Sequence, residues 1–139
     1  MNIKKFVLSS IVIFIIALLW NYVLHGVILT IESEAVKNLF RTDMKDKLWL
    51  SMIIALIIIM IFVYGYARIS SKGTVLEGAL YGFIFGITAG LLVDVNQYIL
   101  YPLPASLVIK WFLFGVLEFT IYGVLVSRLY RKKLIISNE

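Results

Sequence analysis

The chain has 139 residues, 62% of them hydrophobic and only 15% charged, with a mean hydropathy of +1.00. That length allows one domain, and a soluble domain of this size cannot hide so much apolar surface. The net charge of +5 is gathered where apolar stretches end, so the partner it implies is the lipid bilayer and not a nucleic acid. The absence of cysteine removes disulfide, thiol-redox and zinc-thiolate chemistry.

Four apolar stretches, at about residues 6–29, 48–67, 75–93 and 107–126, each approach the roughly 20 residues a helix needs to cross hydrocarbon. They predict an all-α, four-helix integral membrane bundle in a single domain, residues 1–139. In the first stretch, Lys4 and Lys5 followed by FVLSSIVIFIIALL have the look of a secretory leader. The apolar character continues past Trp20 and Tyr22 without a small-x-small cleavage site, which predicts a retained first span.

The longest polar segment, TIESEAVKNLFRTDMKDK, follows that span. Ala35, Val36, Leu39, Phe40 and Met44 recur in it at helical spacing, which predicts a short amphipathic helix on the outer surface. Thr42 or Asp43 would cap the second span, with Asp46 in its first turn. The next turn, ARISSKGT, is short and basic, and Thr74-x-x-Glu77 has capping-box spacing, so Glu77 reads as a cap. In YILYPLPAS, Pro102 and Pro104 prevent one continuous helix, and Pro104 suits the start of the fourth span. Tyr98, Tyr101 and Trp111 fit an aromatic belt at that boundary.

An inside amino terminus puts eight basic residues on the inner side: Lys4, Lys5, Arg68, Lys72, Arg128, Arg131, Lys132 and Lys133. Four fall outside, Lys37, Arg41, Lys45 and Lys47, and Lys110 lies within a span. The positive-inside rule then predicts both termini in the cytoplasm. The tail RLYRKK reads as a topology determinant that could also touch anionic lipid.

Within the third span a glycine occupies every fourth place: Gly78, Gly82, Gly86 and Gly90. Small residues so spaced let a neighbouring helix approach closely. Gly115, Gly123 and Ser127 on the fourth span offer a matching strip, so the two antiparallel spans are expected to meet there. A homodimer through the strip is the rival reading.

Depth arithmetic at 1.5 Å per residue places His25, Asp94 and Lys110 near one level, the outer interface. Each is either solvated there, with Lys110 snorkelling outward, or part of one buried cluster in which Asp94 pairs with Lys110 and His25 joins by hydrogen bond. Glu118 lies roughly 13–18 Å from the two ends of its span and cannot snorkel. An acidic group at that depth costs about 2.5–3.5 kcal/mol on insertion scales, so it should face protein or water. Tyr122 is one turn away on the same face, and Asn21 on the first span has a similar depth. Glu118 is then either an interhelical hydrogen-bonding group or a functional acid.

No cofactor or catalytic motif is present. One histidine rules out two-histidine metal motifs, and G-x-S-x-G, G-x-x-x-x-G-K-[ST] and G-x-G-x-x-G are all absent. No metal site and no catalytic residue is therefore assigned. His25-Gly26, YILYPLP, Lys110-Trp111-Phe112, Glu118 and Gly123 together resemble a group of small bacterial four-span membrane proteins of unassigned function. That resemblance implies four spans and a bacterial cytoplasmic membrane, and no activity. The four-span multidrug exporters carry their membrane glutamate in the first span, whereas Glu118 is in the fourth, so that match fails.

Three functions remain open. The first is a non-enzymatic accessory or binding subunit that works by helix packing, alone as a homodimer or with another membrane protein. The second is a small transporter or ion-binding protein using Glu118 with His25, Asp94 and Lys110. The third is an intramembrane enzyme acting on a lipid-like substrate, for which one histidine and no nucleophile motif give little foundation.

Overall fold

Asn2 accepts the backbone N–H of Lys5 at 3.1 Å and so opens helix α1, Ile3–Val23, in a computed structural model that describes residues 2–130. A π-helical turn, Leu24–Ile28, prolongs α1, and the short helix α2, Thr30–Ala35, follows. Helix α3 spans Leu48–Ile69 and α4 spans Val75–Gly90. A second π-helical turn, Leu91–Val95, carries α4 into α5, Asn96–Leu100, and α6 closes the described chain over Ala105–Leu129. No strand occurs among the described residues. Four helical segments, Ile3–Ile28, Lys45–Ile69, Val75–Leu100 and Ala105–Leu129, are long and apolar enough to cross a membrane. The tail residues Arg131, Lys132 and Lys133 lie outside the described residues.

The amphipathic helix expected through Met44 does not form. Helix α2 stops at Ala35, a 3₁₀ turn covers Lys37–Leu39, and the chain then bends. Burial explains the break. Val36 is buried with Leu29 beside Leu103, Leu107 and Val108, which pulls it out of any surface face, and six helical residues are too few to propagate alone. Nor does Thr42 or Asp43 cap α3, which starts after Lys47 without a side-chain cap. Asp43 is instead spent on Arg41 and Lys47.

The turn from α3 to α4 is closed by one carboxylate. Thr74 accepts the Glu77 backbone N–H at 3.2 Å. Glu77 in turn accepts the N–H groups of Ser71, Lys72 and Gly73 at 2.6, 3.1 and 2.7 Å. Gly73 holds φ of 65°, a value that favours glycine, and this curls the three N–H groups around the acid. Glu77 thereby holds the N–H groups of the turn before the helix, where a simple capping box would bond the N-cap N–H.

Helices α4 and α6 run antiparallel with their backbones in contact. A β-carbon at Gly78 would meet the Gly123 carbonyl, and one at Gly82 would meet the Phe119 carbonyl. At Gly86 it would stand 2.8 Å from Val116 Cα, and at Gly90 2.6 Å from the Phe112 ring. All four α4 glycines are buried. Gly123 belongs to the same seam, since its own β-carbon would meet the Gly78 carbonyl. Gly115 does not, because nothing lies within 4 Å of its would-be β-carbon. Eight residues separate it from Gly123, which turns it about 80° around the helix, and Phe112 and Val116 take the seam at that level.

On the other flank of α4, a block of rings joins three helices. Phe62 and Tyr66 of α3 pack on Tyr81 and Phe85 of α4, and Phe85 packs on Phe119 of α6 at 4.9 Å between centroids. The Tyr81 hydroxyl donates to the Phe62 carbonyl at 2.8 Å, and Gly65 leaves room for it. Ile13 and Ala17 of α1 complete this core. Where Asn2 begins α1, its backbone N–H donates to the Tyr130 hydroxyl at 2.9 Å, tying α1 to the end of α6.

Gly82→Ala should be destabilising by about 1–3 kcal/mol, because its methyl group has only a backbone carbonyl to displace. Gly115→Ala should instead gain up to about 1 kcal/mol of helix propensity. Circular dichroism during heating in detergent reads both variants, and equal shifts at the two positions would refute the seam.

Candidate functional site

The polar side chains divide between two levels of the bundle. At mid-helix, Glu118 is half-buried on α6 and Tyr122 is buried one turn on. The Tyr122 hydroxyl donates to Glu118 Oε1, and its ring packs on Phe119 at 5.6 Å between centroids. Asn21 is exposed on α1 and donates to the Ala17 carbonyl at 3.0 Å. These two bonds stay within their own helices. An interhelical hydrogen bond through Glu118 is therefore replaced by an i, i+4 pair, the spacing at which helical neighbours meet.

At the α2 end the Asp94–Lys110 pair, one of the two alternatives, is not formed. Lys110 is paired with Glu32 of α2. The cause is the apolar cluster of Leu24, Leu29, Val36, Leu103, Leu107 and Val108. By burying residues on both sides of α2, it lays that helix against the start of α6 and carries Glu32 to the ammonium group. Hydrogen bonding to Lys110, helped by a backbone hydrogen bond, holds the Glu32 carboxyl below the ordinary value of 4.5.

His25 and Asp94 sit on the two π-helical turns, His25 exposed in Leu24–Ile28 and Asp94 half-buried in Leu91–Val95. Neither makes a side-chain hydrogen bond or ion pair among the described residues. The three groups thus share one end of the bundle without forming one cluster. π-Helical turns inside longer helices frequently mark functional positions, and here each presents one titratable side chain. Trp111 turns away from a boundary belt: its indole N–H is buried, as is that of Trp20, and both rings pack on the α2-end cluster. Tyr98 and Tyr101 remain exposed.

No group of three or more His, Asp or Glu side chains that could hold a metal ion comes together among the described residues. Glu32 is the site residue that sequence reasoning missed. Its signal was available, because Glu32 follows the first span by only a few residues and so shares the level of Lys110. Comparison with protein-family models, with curated proteins and with solved structures finds no match for this chain.

Two experiments probe these contacts. In a double-mutant cycle, Glu32→Gln and Lys110→Met should couple, whereas Asp94→Asn and Lys110→Met should be additive. Because the folded Glu32 value lies below the unfolded one, the pair stabilises fully above pH 4.5. That contribution is lost as pH falls through the folded value, so the deficit of Lys110→Met should shrink on acidification. Additivity for the first pair would disprove the contact.

For the mid-helix pair, Glu118→Gln keeps an acceptor for the Tyr122 hydroxyl and should shift stability by less than about 1 kcal/mol. Glu118→Leu leaves that buried hydroxyl unpartnered and should be destabilising by about 1–3 kcal/mol. Equal losses in thermal unfolding would mean that charge, and not hydrogen bonding, is what Glu118 supplies.

Proposed function

We propose that this chain is a non-enzymatic accessory or binding subunit of the bacterial cytoplasmic membrane, with both termini in the cytoplasm. The observation that carries this reading is the α4–α6 seam, where backbone meets backbone at Gly78, Gly82 and Gly123. A helix pair so closed leaves no path for a solute along its own axis and offers a stiff platform for packing. The apolar side chains left on α1 and α3, among them Ile15, Leu19, Ile57 and Ile61, face lipid or a second membrane helix. The resemblance to small bacterial four-span proteins supports the same compartment, and the balance of eight basic residues against four supports the orientation.

A second reading is favoured by one observation. Asp94 is half-buried without a partner among the described residues, which suits a small ion-binding protein better than a purely structural one. Alkaline phosphatase fused at Asp43 should be active and fused after Glu139 inactive, and the reverse would overturn the orientation. In proteoliposomes loaded with a pH-sensitive dye, the chain should carry no proton or alkali-cation flux. A flux abolished by Asp94→Asn or Glu118→Gln would replace the accessory role with transport.

A further inference from the structure

Where the chain enters α3 it forms an open groove of about 450 Å³, lined by Phe40, Met44, Leu48, Leu50 and Ile54, with Arg41, Lys47 and Ser51 as its polar wall. The groove exists because the segment before α3 is a stack of turns, with Met44 N–H donating to the Arg41 carbonyl and Lys47 N–H to the Met44 carbonyl. Phe40 and Met44 are thereby splayed toward the first turns of α3, and both remain about two-fifths exposed.

The wall has a definite charge. Asp43 accepts from Arg41 Nε at 2.8 Å and Nη2 at 3.1 Å, and pairs with Lys47 Nζ at 2.8 Å. Hydrogen bonds from Arg41 first, and then Lys47, hold the Asp43 carboxyl below the ordinary carboxylate range, so it stays ionised at neutral pH. Two cations and one anion leave a net charge of +1, while the neighbouring Lys45 and Asp46 cancel. Asp43 also fixes the two basic groups side by side and leaves them spare donors, since a guanidinium has five N–H groups and an ammonium three. Helix α3 begins here with no side-chain cap, and the positive end of its dipole favours an anion at the same place.

We propose that this groove binds one anionic phospholipid, with an acyl chain along Leu48, Leu50 and Ile54 and the phosphate against Arg41 and Lys47. Charge complementarity selects this occupant. An apolar floor at the start of a long apolar helix continues into the level of lipid tails, and a single positive wall at its mouth matches one phosphate. A zwitterionic lipid fills the floor equally but carries its own cation to the wall. The assignment is independent of the accessory role and holds for either orientation of the bundle.

The full chain in phosphatidylcholine vesicles, doped with a photoactivatable phosphatidylglycerol or with a phosphatidylcholine of the same acyl chains, tests this directly. Adducts mapped by mass spectrometry should fall within residues 40–54 and be about fivefold more abundant for phosphatidylglycerol. Arg41→Gln with Lys47→Gln should bring that yield down to the phosphatidylcholine level, while Lys72→Gln, at the far end of α3, leaves it unchanged. For the unaltered chain, raised salt should erode the preference by screening, a readout that does not depend on the variants folding. Equal labelling by the two lipids, a preference mapped elsewhere, or a preference that survives both the double substitution and high salt would each overturn the site.

Discussion

The bundle depends on the absence of side chains along one face of α4. Within hydrocarbon the hydrophobic effect does not draw helices together, because lipid tails are as apolar as leucine, so dispersion at close range must do so. Each contact is worth only about 0.1–0.2 kcal/mol, and a gap of 0.5–1 Å already forfeits a quarter to a half of it. Gly78, Gly82 and Gly123 remove that gap by letting backbone touch backbone. Gly90 is a different case, since it meets a ring, Phe112, that can turn aside. The seam is therefore hardest at the end where Asn2 meets Tyr130 and softer toward Leu91.

That gradient orders the remaining structure. At the hard end the α3–α4 turn is locked by Glu77, and the rings of Phe62, Tyr66, Tyr81, Phe85 and Phe119 fill the flank left by the seam. At the soft end both α1 and α4 pass into π-helical turns, and the short α2 is held by the Leu29–Val36 cluster and the Lys110–Glu32 pair. His25 and Asp94, which make no side-chain bond among the described residues, are at this softer end. The groove at Arg41 and Lys47 belongs to it as well. Chemistry that needs local movement has more freedom there than beside the glycine seam.

Sequence reasoning reached depth more readily than azimuth. Helical rise places Glu118 at mid-helix and puts Lys110 level with the end of the first span, and period four marks the α4 glycines as one face. The helix entry at Thr74 was readable because its signal is local, three residues from Glu77. What failed needed a long-range contact. Gly115 shares the fourfold spacing of Gly123 but drifts off the seam, since α6 supplies Phe112 and Val116 instead. Depth alone leaves Asp94 either solvated or paired with Lys110, and only the burial of Val36, which brings Glu32 to Lys110, decides against the pair. The break of the outer segment after Ala35 follows from that same burial. The two π-helical turns left no trace in spacing or composition that separates them from ordinary helix.

The polar side chains inside the long helices show why shape, and not hydrogen bonding, sets the pairing. Ser10, Asn21, Thr88 and Thr120 each donate to a carbonyl four residues back on their own helix, and Ser127 to one three back. Each thereby uses a donor within its own helix, and that donor contributes nothing to the choice of neighbour. Few polar bonds cross between long helices, the clearest being Tyr81 to the Phe62 carbonyl and the Asn2 N–H to Tyr130. Such interhelical bonds average only about 0.6 kcal/mol in membranes, whereas a methyl group forced into a packed seam costs about 1–3 kcal/mol. A wrong helix pairing is thus penalised mainly by collision or by lost contact. The Tyr81 bond follows the same logic, because Gly65 must first leave space for the hydroxyl to reach the backbone.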